Sequence, residues 1–204
     1  MSETSDNSRL EAFCDGVFAI ALTLLVIDVK VPSTTVHTTN DLWVALGSVG
    51  PSIFSFLLSF VVILISWVNH HAALKLVNKS SPQFVYANGF LLLTVVFIPF
   101  PTALLGEYLF TDHAAPAVIL YSAVCAFQGF GWYLLTRTSL APRMLAKSEK
   151  SRIAIIKNRK YSIFAMAIYS ACAIAAIWIP QVVALVISLI WILWIVVGVR
   201  LREE

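Results

Sequence analysis

Charge is scarce in this 204-residue chain, of which only 12% is Asp, Glu, Lys or Arg while 59% is hydrophobic. Soluble domains carry about a quarter charged residues. The apolar residues also lie in long uncharged runs, which a soluble core does not require. The composition therefore predicts an all-α integral membrane protein, with the lipid bilayer as its surroundings.

Cysteine is also scarce, and its spacing excludes two kinds of site. Cys14, Cys125 and Cys172 lie singly in apolar runs, without the paired spacing of a disulfide framework or a zinc site. The chain lacks the HExxH and GxSxG motifs and a phosphate-binding glycine loop. Its apolar runs also lack ionisable residues near the bilayer midplane, where intramembrane chemistry needs them. We therefore expect no enzyme, no cofactor and no resident metal.

Long apolar runs predict six transmembrane helices in a single domain, 1–204. About 20 apolar residues cross a hydrocarbon core of about 30 Å. Pro180 separates the last two runs, and a kink is expected at Gly50 and Pro51. The predicted helices are approximately 8–31, 42–71, 84–106, 114–137, 160–179 and 181–200.

The basic residues support this count, because short cytoplasmic loops are enriched in Lys and Arg. With six helices, Lys30 is the exception among the 14 basic residues, and the others fall on one side. Both termini and a basic loop, 138–159, are therefore expected in the cytoplasm. Setting the topology is the favoured role of this loop over binding lipid headgroups. Nucleic acid is not an expected partner, because the basic residues lack an aromatic stacking surface.

The first predicted helix has a short apolar run, bounded by Asp15 and Asp28. At about 100° per residue, four of its side chains form one stripe. The stripe consists of Ile20, Thr23, Leu24 and Ile27. The stripe either lines a narrow pore among symmetry-related copies or packs against other helices. Similarly, the Thr23 hydroxyl either faces ions or forms a hydrogen bond to a carbonyl of its own helix. Spacing alone leaves both questions open.

The start of this helix resembles the opening helix of the transmembrane protein 175 family, whose motif is Arg, three residues, then Phe-Ser-Asp. Arg9, Phe13 and Asp15 match this motif. Cys14 stands at the serine position, where a thiol makes a weaker hydrogen bond than a hydroxyl. The resemblance covers nearly the whole chain. Three residues at the end of the second helix also support it: Trp67, Asn69 and His70.

The resemblance implies a bacterial potassium channel with one six-helix repeat, assembled as a homotetramer in the plasma membrane. Its partners would be potassium ions, lipid and its own copies. In that family the first helix is central and lines the pore, and the apolar residue five positions after the motif Asp forms the constriction. Here that residue is Ile20, which would gate by dewetting. Thr23 would supply a hydroxyl layer, and Leu24 and Ile27 further apolar layers.

The motif residues are expected to support the pore helix. Asp15 shares its predicted membrane depth with Asn69 and His70, which predicts a hydrogen-bonded clasp that Arg9 joins. Asp28 either attracts cations at the outer mouth or anchors the helix end. A secondary transporter and a non-conducting scaffold are the alternative functions.

Overall fold

A computed structural model describes residues 6–30, 37–140 and 145–203. Side chains are described for all of these residues except Asp6, Asp28, Leu193 and 195–203. The described chain is all-α, as predicted, apart from one isolated antiparallel bridge between Val77 and Ala146.

The described helices follow the predicted apolar runs, and three of the runs are subdivided. The first helix ends in one short 3-10 helix, Leu25–Asp28. The α-helices are α1 Asp6–Leu24, α2 Thr39–Ser48, α3 Gly50–Lys75, α4 Pro82–Phe97, α5 Pro99–Tyr108, α6 Ala114–Ser139, α7 Glu149–Ala175 and α8 Pro180–Glu203.

Prolines account for several of these boundaries. The predicted kink near Pro51 is the junction of α2 and α3, and the third predicted helix divides at Ile98, just before Pro99. Proline lacks a backbone N–H and disrupts a helix interior, but it fits the first helical turn. Pro180 likewise begins α8, after the turn that follows α7.

The prediction of a basic loop over 138–159 is wrong for most of that segment, because most of it is helical. Residues 149–159 form the first turns of α7, and residues 141–144 lie outside the described part of the chain. Ser148 caps this helix by accepting a hydrogen bond from the Ser151 backbone N–H. Lys and Arg are good helix formers, so a basic segment behind such a cap continues the helix instead of ending it.

Four segments of the described chain are long and apolar enough to cross a membrane, compared with the six that the sequence predicts. They are Asn7–Ile27, Gly50–Lys75, Pro82–Tyr108 and Ala114–Ser139. The described part of α8 adds a shorter apolar helix, Pro180–Ile192.

Helix α6 lies at the centre of the bundle and packs against α4, α5, α7 and α8. Gly129 brings α6 close to α7, since a Cβ at this position would lie 2.9 Å from the backbone nitrogen of Met166. Helix α1 instead packs at the side of the bundle, against α3 and α4. One face of α1 therefore remains uncovered by the described helices.

Candidate ion pathway along the first helix

The uncovered face of α1 carries the stripe that the sequence singles out. Ile20 is 59% exposed and Ile27 is 67% exposed, while Leu24, at the margin of this face, is 38% exposed. Thr23 is also exposed. All four side chains of the stripe therefore lie on the exposed side of α1, where the described helices do not bury them.

The opposite face of α1 is buried and holds the helix to the bundle. Cys14, Phe18, Ala21 and Leu25 are at most 1% exposed. These positions recur at intervals of three and four residues, which is the spacing of one helix face. They lie roughly opposite Ile20 on the helix. The face that carries Phe18 therefore packs within the subunit, while the face that carries Ile20 is exposed.

Small residues precede Ile20 on the uncovered face. Ala12, Gly16 and Ala19 are all exposed, and a Cβ at Gly16 would meet no other atom within 4 Å. Small side chains allow helices in a membrane to approach closely. Sequence reasoning missed these residues, although their spacing of three and four is visible in the sequence.

The Thr23 hydroxyl bonds to its own helix. Its Oγ1 donates to the carbonyl oxygen of Ile20 at 2.9 Å. A hydroxyl has one hydrogen and two acceptor lone pairs. Because the hydrogen is directed to the backbone, the oxygen of this exposed side chain is left to act as an acceptor, which is the role that a cation requires.

Asp15 is fixed by a neighbouring helix. The Nε1–H of Trp67 on α3 donates to Asp15 Oδ1 at 2.8 Å. The sequence predicted that Asp15 would instead bond to Asn69 and His70. Trp67 takes this place because Asn69 lies on a different face of α3, two residues further along the helix.

A second buried network joins α1, α3 and α4 through Asn88, which is 1% exposed. Its Nδ2 donates to Cys14 Sγ at 3.1 Å, and its Oδ1 lies 2.6 Å from His70 Nε2. The His70 ring also packs against Phe18, with centroids 5.3 Å apart. Sequence reasoning placed Cys14 and His70 in the supporting group but missed Asn88. The available signal was an amide inside an uncharged run, because a polar side chain within a membrane span seeks a partner.

Other predicted supporting residues do not join these networks. Arg9 and Phe13 lie on the exposed side of α1, and Phe13 is 63% exposed. Asn69 faces a cavity on the other side of α3. The side chain of Asp28 lies outside the described residues, so its predicted role at the outer mouth stays a prediction.

An ionisable pair lies next to the Asp15 contact. His71 Nδ1 on α3 is 2.8 Å from Glu11 Oε1 on α1, and both side chains are about one-third exposed. The rings of Trp67 and His71 are 6.4 Å apart. Together these contacts tie one end of α1 to the end of α3. Sequence reasoning did not identify this pair.

Within the described residues, no group of three His, Cys, Asp or Glu side chains is arranged to hold a metal ion. The uncovered face of α1 has apolar side chains and a hydroxyl between Gly16 and Ile27, and Asp15 is turned toward Trp67. A cation that passes along this face would therefore meet weak neutral ligands instead of a strong binding site.

Comparison with known proteins points to one family of channels. A family model described as the endosomal/lysosomal potassium channel TMEM175 matches residues 9–99. A potassium channel of Chamaesiphon minutus is 38% identical over 190 residues, which are 92% of this chain and 94% of that protein. A potassium channel of Streptomyces collinus is 43% identical over 155 residues, covering 72% and 74% of the two chains.

A solved structure agrees with these sequence matches. The crystal structure of a lysosomal potassium-selective channel TMEM175 homolog from Chamaesiphon minutus superposes with a TM-score of 0.84 at 34% identity. The match covers 94% of this chain and 97% of that one.

Proposed function

This chain belongs to the TMEM175 family, and on that basis we propose that it is a potassium channel whose pore is lined by α1 from four subunits. The family membership supports the transport of potassium across a membrane. The pore lining is an inference from the uncovered face of α1, and the fourfold assembly is what the resemblance to this family implies. In this arrangement the uncovered faces of four α1 helices meet around an axis.

The observation that carries this proposal is the division of α1 into a buried and an uncovered face. The stripe predicted from helical spacing falls on the uncovered face, with Ile20 59% exposed and Phe18 on the opposite side 1% exposed. A stripe that served only to pack within the subunit would be buried. Ala12, Gly16 and Ala19 lie along one edge of this face, and the larger Phe13 also lies on it, one turn or more before Ile20.

The proposed gate is a ring of four Ile20 side chains. A narrow apolar ring excludes water, and an ion cannot cross it without losing its hydration shell. A small widening would wet the ring and admit a partly hydrated ion. The Thr23 oxygen, with its hydrogen turned to the Ile20 carbonyl, would then replace lost water ligands. Potassium gives up water more readily than sodium, so weak neutral ligands favour potassium.

The proposed topology has six membrane spans, with both termini and the basic start of α7 in the cytoplasm of a prokaryotic cell. The positions of Lys and Arg support this arrangement, because short cytoplasmic loops are enriched in them. The last two spans lie in α7 and α8. The charged first turns of α7 would project from the membrane on the cytoplasmic side.

The Ile20→Asn variant tests the gate. An amide at this position would keep the ring wet, so potassium flux into liposomes should rise severalfold above that of the original protein. The matched control is Ile163→Asn. Ile163 is an exposed isoleucine on α7, a helix that packs against α6 and α8. This control should leave the flux unchanged. Equal flux from the original protein and the Ile20→Asn variant would refute the gate.

Single-channel recording in planar bilayers separates channel function from the alternatives. A channel produces unitary currents that are too fast for a carrier. Slow flux that saturates without unitary currents would indicate a secondary transporter, and the absence of any flux would indicate a scaffold. Either of those results would refute channel function.

A further inference from the structure

The uncovered face of α1 continues from Ile20 back to the first turn of the helix. At about 100° per residue, Arg9 and Phe13 each lie within about 20° of Ile20 around the helix axis. Both side chains are exposed, and Phe13 is 63% exposed. Spacing and exposure therefore extend the proposed pore lining to Arg9, which lies about 16 Å from Ile20 along the helix.

The acidic side chains near Arg9 lie on the other side of the helix. Glu11 and Asp15 are turned by about 180° and about 140° from Ile20. Glu11 Oε1 lies 2.8 Å from His71 Nδ1 on α3. Asp15 Oδ1 accepts a hydrogen bond from Trp67 Nε1, also on α3, at 2.8 Å. Both carboxylates are therefore held at α3, away from the uncovered face.

Arg9 has no such partner. Within the residues that the structure describes, its guanidinium group makes no ion pair with a carboxylate. The orientation of this end of α1 is fixed by Asn7, whose Nδ2 donates to the carbonyl oxygen of Val77 at 3.0 Å. Arginine is not deprotonated in proteins. The uncovered face therefore carries a permanent positive charge at the end that the proposed topology places in the cytoplasm.

We propose that Arg9 limits the entry of potassium from the cytoplasmic side of the pore. This inference rests on the proposed function, in which four copies of α1 surround the ion path. Four guanidinium groups then ring the cytoplasmic mouth, about 16 Å before the Ile20 constriction. Like charges repel, so potassium is depleted at this mouth and enters more slowly than at the opposite end. Outward current, which is carried by ions from the cytoplasm, is therefore smaller than inward current.

Salt concentration provides a test that needs no substitution. The screening length is about 30 Å at 0.01 M salt and about 3 Å at 1 M. Single channels of the original protein in planar bilayers should therefore rectify in symmetrical 0.01 M KCl and conduct equally in both directions in symmetrical 1 M KCl. Unitary currents of equal size in both directions in 0.01 M KCl would overturn the inference and leave channel function standing.

Replacing the charge at position 9 identifies the residue responsible. Arg9→Cys should raise the outward current in 0.01 M KCl about threefold and leave the inward current nearly unchanged. A membrane-impermeant methanethiosulfonate with a positive charge forms a disulfide with this cysteine and releases methanesulfinate. Added on the cytoplasmic side, it should restore the rectification, and a negatively charged reagent should not. The native cysteines are buried, so the reagent should not affect the original protein.

The matched control is Lys160→Cys. Lys160 is an exposed basic residue on α7, whereas α1 packs against α3 and α4. This variant should rectify like the original protein, both before and after the reagent is added. Arg9→Lys keeps the charge and should also rectify. The side chain of Asp6 lies outside the described residues, and the comparison does not depend on it because the charge is changed at position 9 alone.

The outcomes separate this inference from the proposed function. Unitary currents that rectify equally in Arg9→Cys and Lys160→Cys would place Arg9 away from the ion path and overturn the inference. An effect of Arg9→Cys that persisted undiminished in 1 M KCl would indicate a change of structure instead of charge, and would overturn it too. Absence of unitary currents from the original protein would overturn the proposed function and this inference with it.

Discussion

Replacing Asn88 by Ala should be among the most destabilising single changes in this protein that leave the uncovered face of α1 intact. Asn88 is the only described residue that hydrogen-bonds with both Cys14 on α1 and His70 on α3. It lies on α4 and is 1% exposed. The substitution would remove both bonds at once and leave a small void between three helices.

The size of the effect follows from the groups left behind. His70 is fully buried, and its Nδ1 already lacks a hydrogen-bond partner within the described chain. Without Asn88, the Nε2 atom would also lose its partner, at a cost of about 1–3 kcal/mol. The weaker thiol bond and the void bring the total to about 2–4 kcal/mol. For a chain of this length, roughly 4–16 °C would be lost from the unfolding temperature.

Thermal unfolding of the purified protein in detergent, followed by differential scanning fluorimetry, measures this loss. The matched control is Asn78→Ala, because the Asn78 side chain is exposed on the α3–α4 loop. Its effect should stay within about 0.5 kcal/mol. Cys14→Ser should retain the bond from Asn88, since a hydroxyl also accepts. If Asn88→Ala and Asn78→Ala melted at the same temperature, the buried network would not hold α1 in place.

Three other substitutions test separate parts of the structure. Gly129→Ala should destabilise the protein by about 1–3 kcal/mol, because the added Cβ would contact the α7 backbone. Its control is Gly89→Ala, which has open space around it and should be neutral or stabilising in the same melting assay. Thr23→Val should reduce the preference for potassium over sodium, and an unchanged bi-ionic reversal potential would contradict a role in selectivity. Trp67→Phe removes the Nε1–H that donates to Asp15, so the melting temperature should fall by the equivalent of about 1–3 kcal/mol. A melting temperature equal to that of the original protein would show that this hydrogen bond is dispensable.

The arrangement of α1 could be predicted from the sequence to a large extent. Helical periodicity alone grouped Ile20 with Thr23, Leu24 and Ile27, because side chains at these intervals share a face whatever surrounds the helix. Periodicity does not say whether a face is covered. The structure adds that information, since this face of α1 is exposed among the described residues and Phe18 on the other face is buried.

The partners of the motif residues could not be predicted in the same way. Asp15, Asn69 and His70 share a depth along the bundle, but depth does not fix which way a side chain points around a helix. Trp67 faces α1, whereas Asn69 faces the cavity. Asn88 comes from α4, and only the packing of three helices brings it to Cys14. These pairings are long-range, so local spacing carries no information on them.

The predicted start of α7 is wrong for a different reason. The basic segment before Tyr161 was expected to be a loop because its charge excludes it from the hydrocarbon core, which is correct as a statement about the membrane. It says nothing about helicity, which depends on backbone hydrogen bonds and propensity. Ser148 starts the helix with a cap, and Arg152 pairs with Glu149 at 3.1 Å one turn later. A membrane boundary and a helix end are therefore separate predictions.

The two faces of α1 explain how one short helix can both fold within a subunit and remain available to others. In a membrane, apolar contact alone drives little association, because lipid is as apolar as a leucine side chain. Specific hydrogen bonds from Trp67 and Asn88 therefore anchor one face of α1. The opposite face carries small residues such as Gly16 next to Ile20, without a partner among the residues that the structure describes. Because anchoring is confined to one face, substitutions at Ile20 should alter conduction without unfolding the subunit, while substitutions at Asn88 should do the reverse.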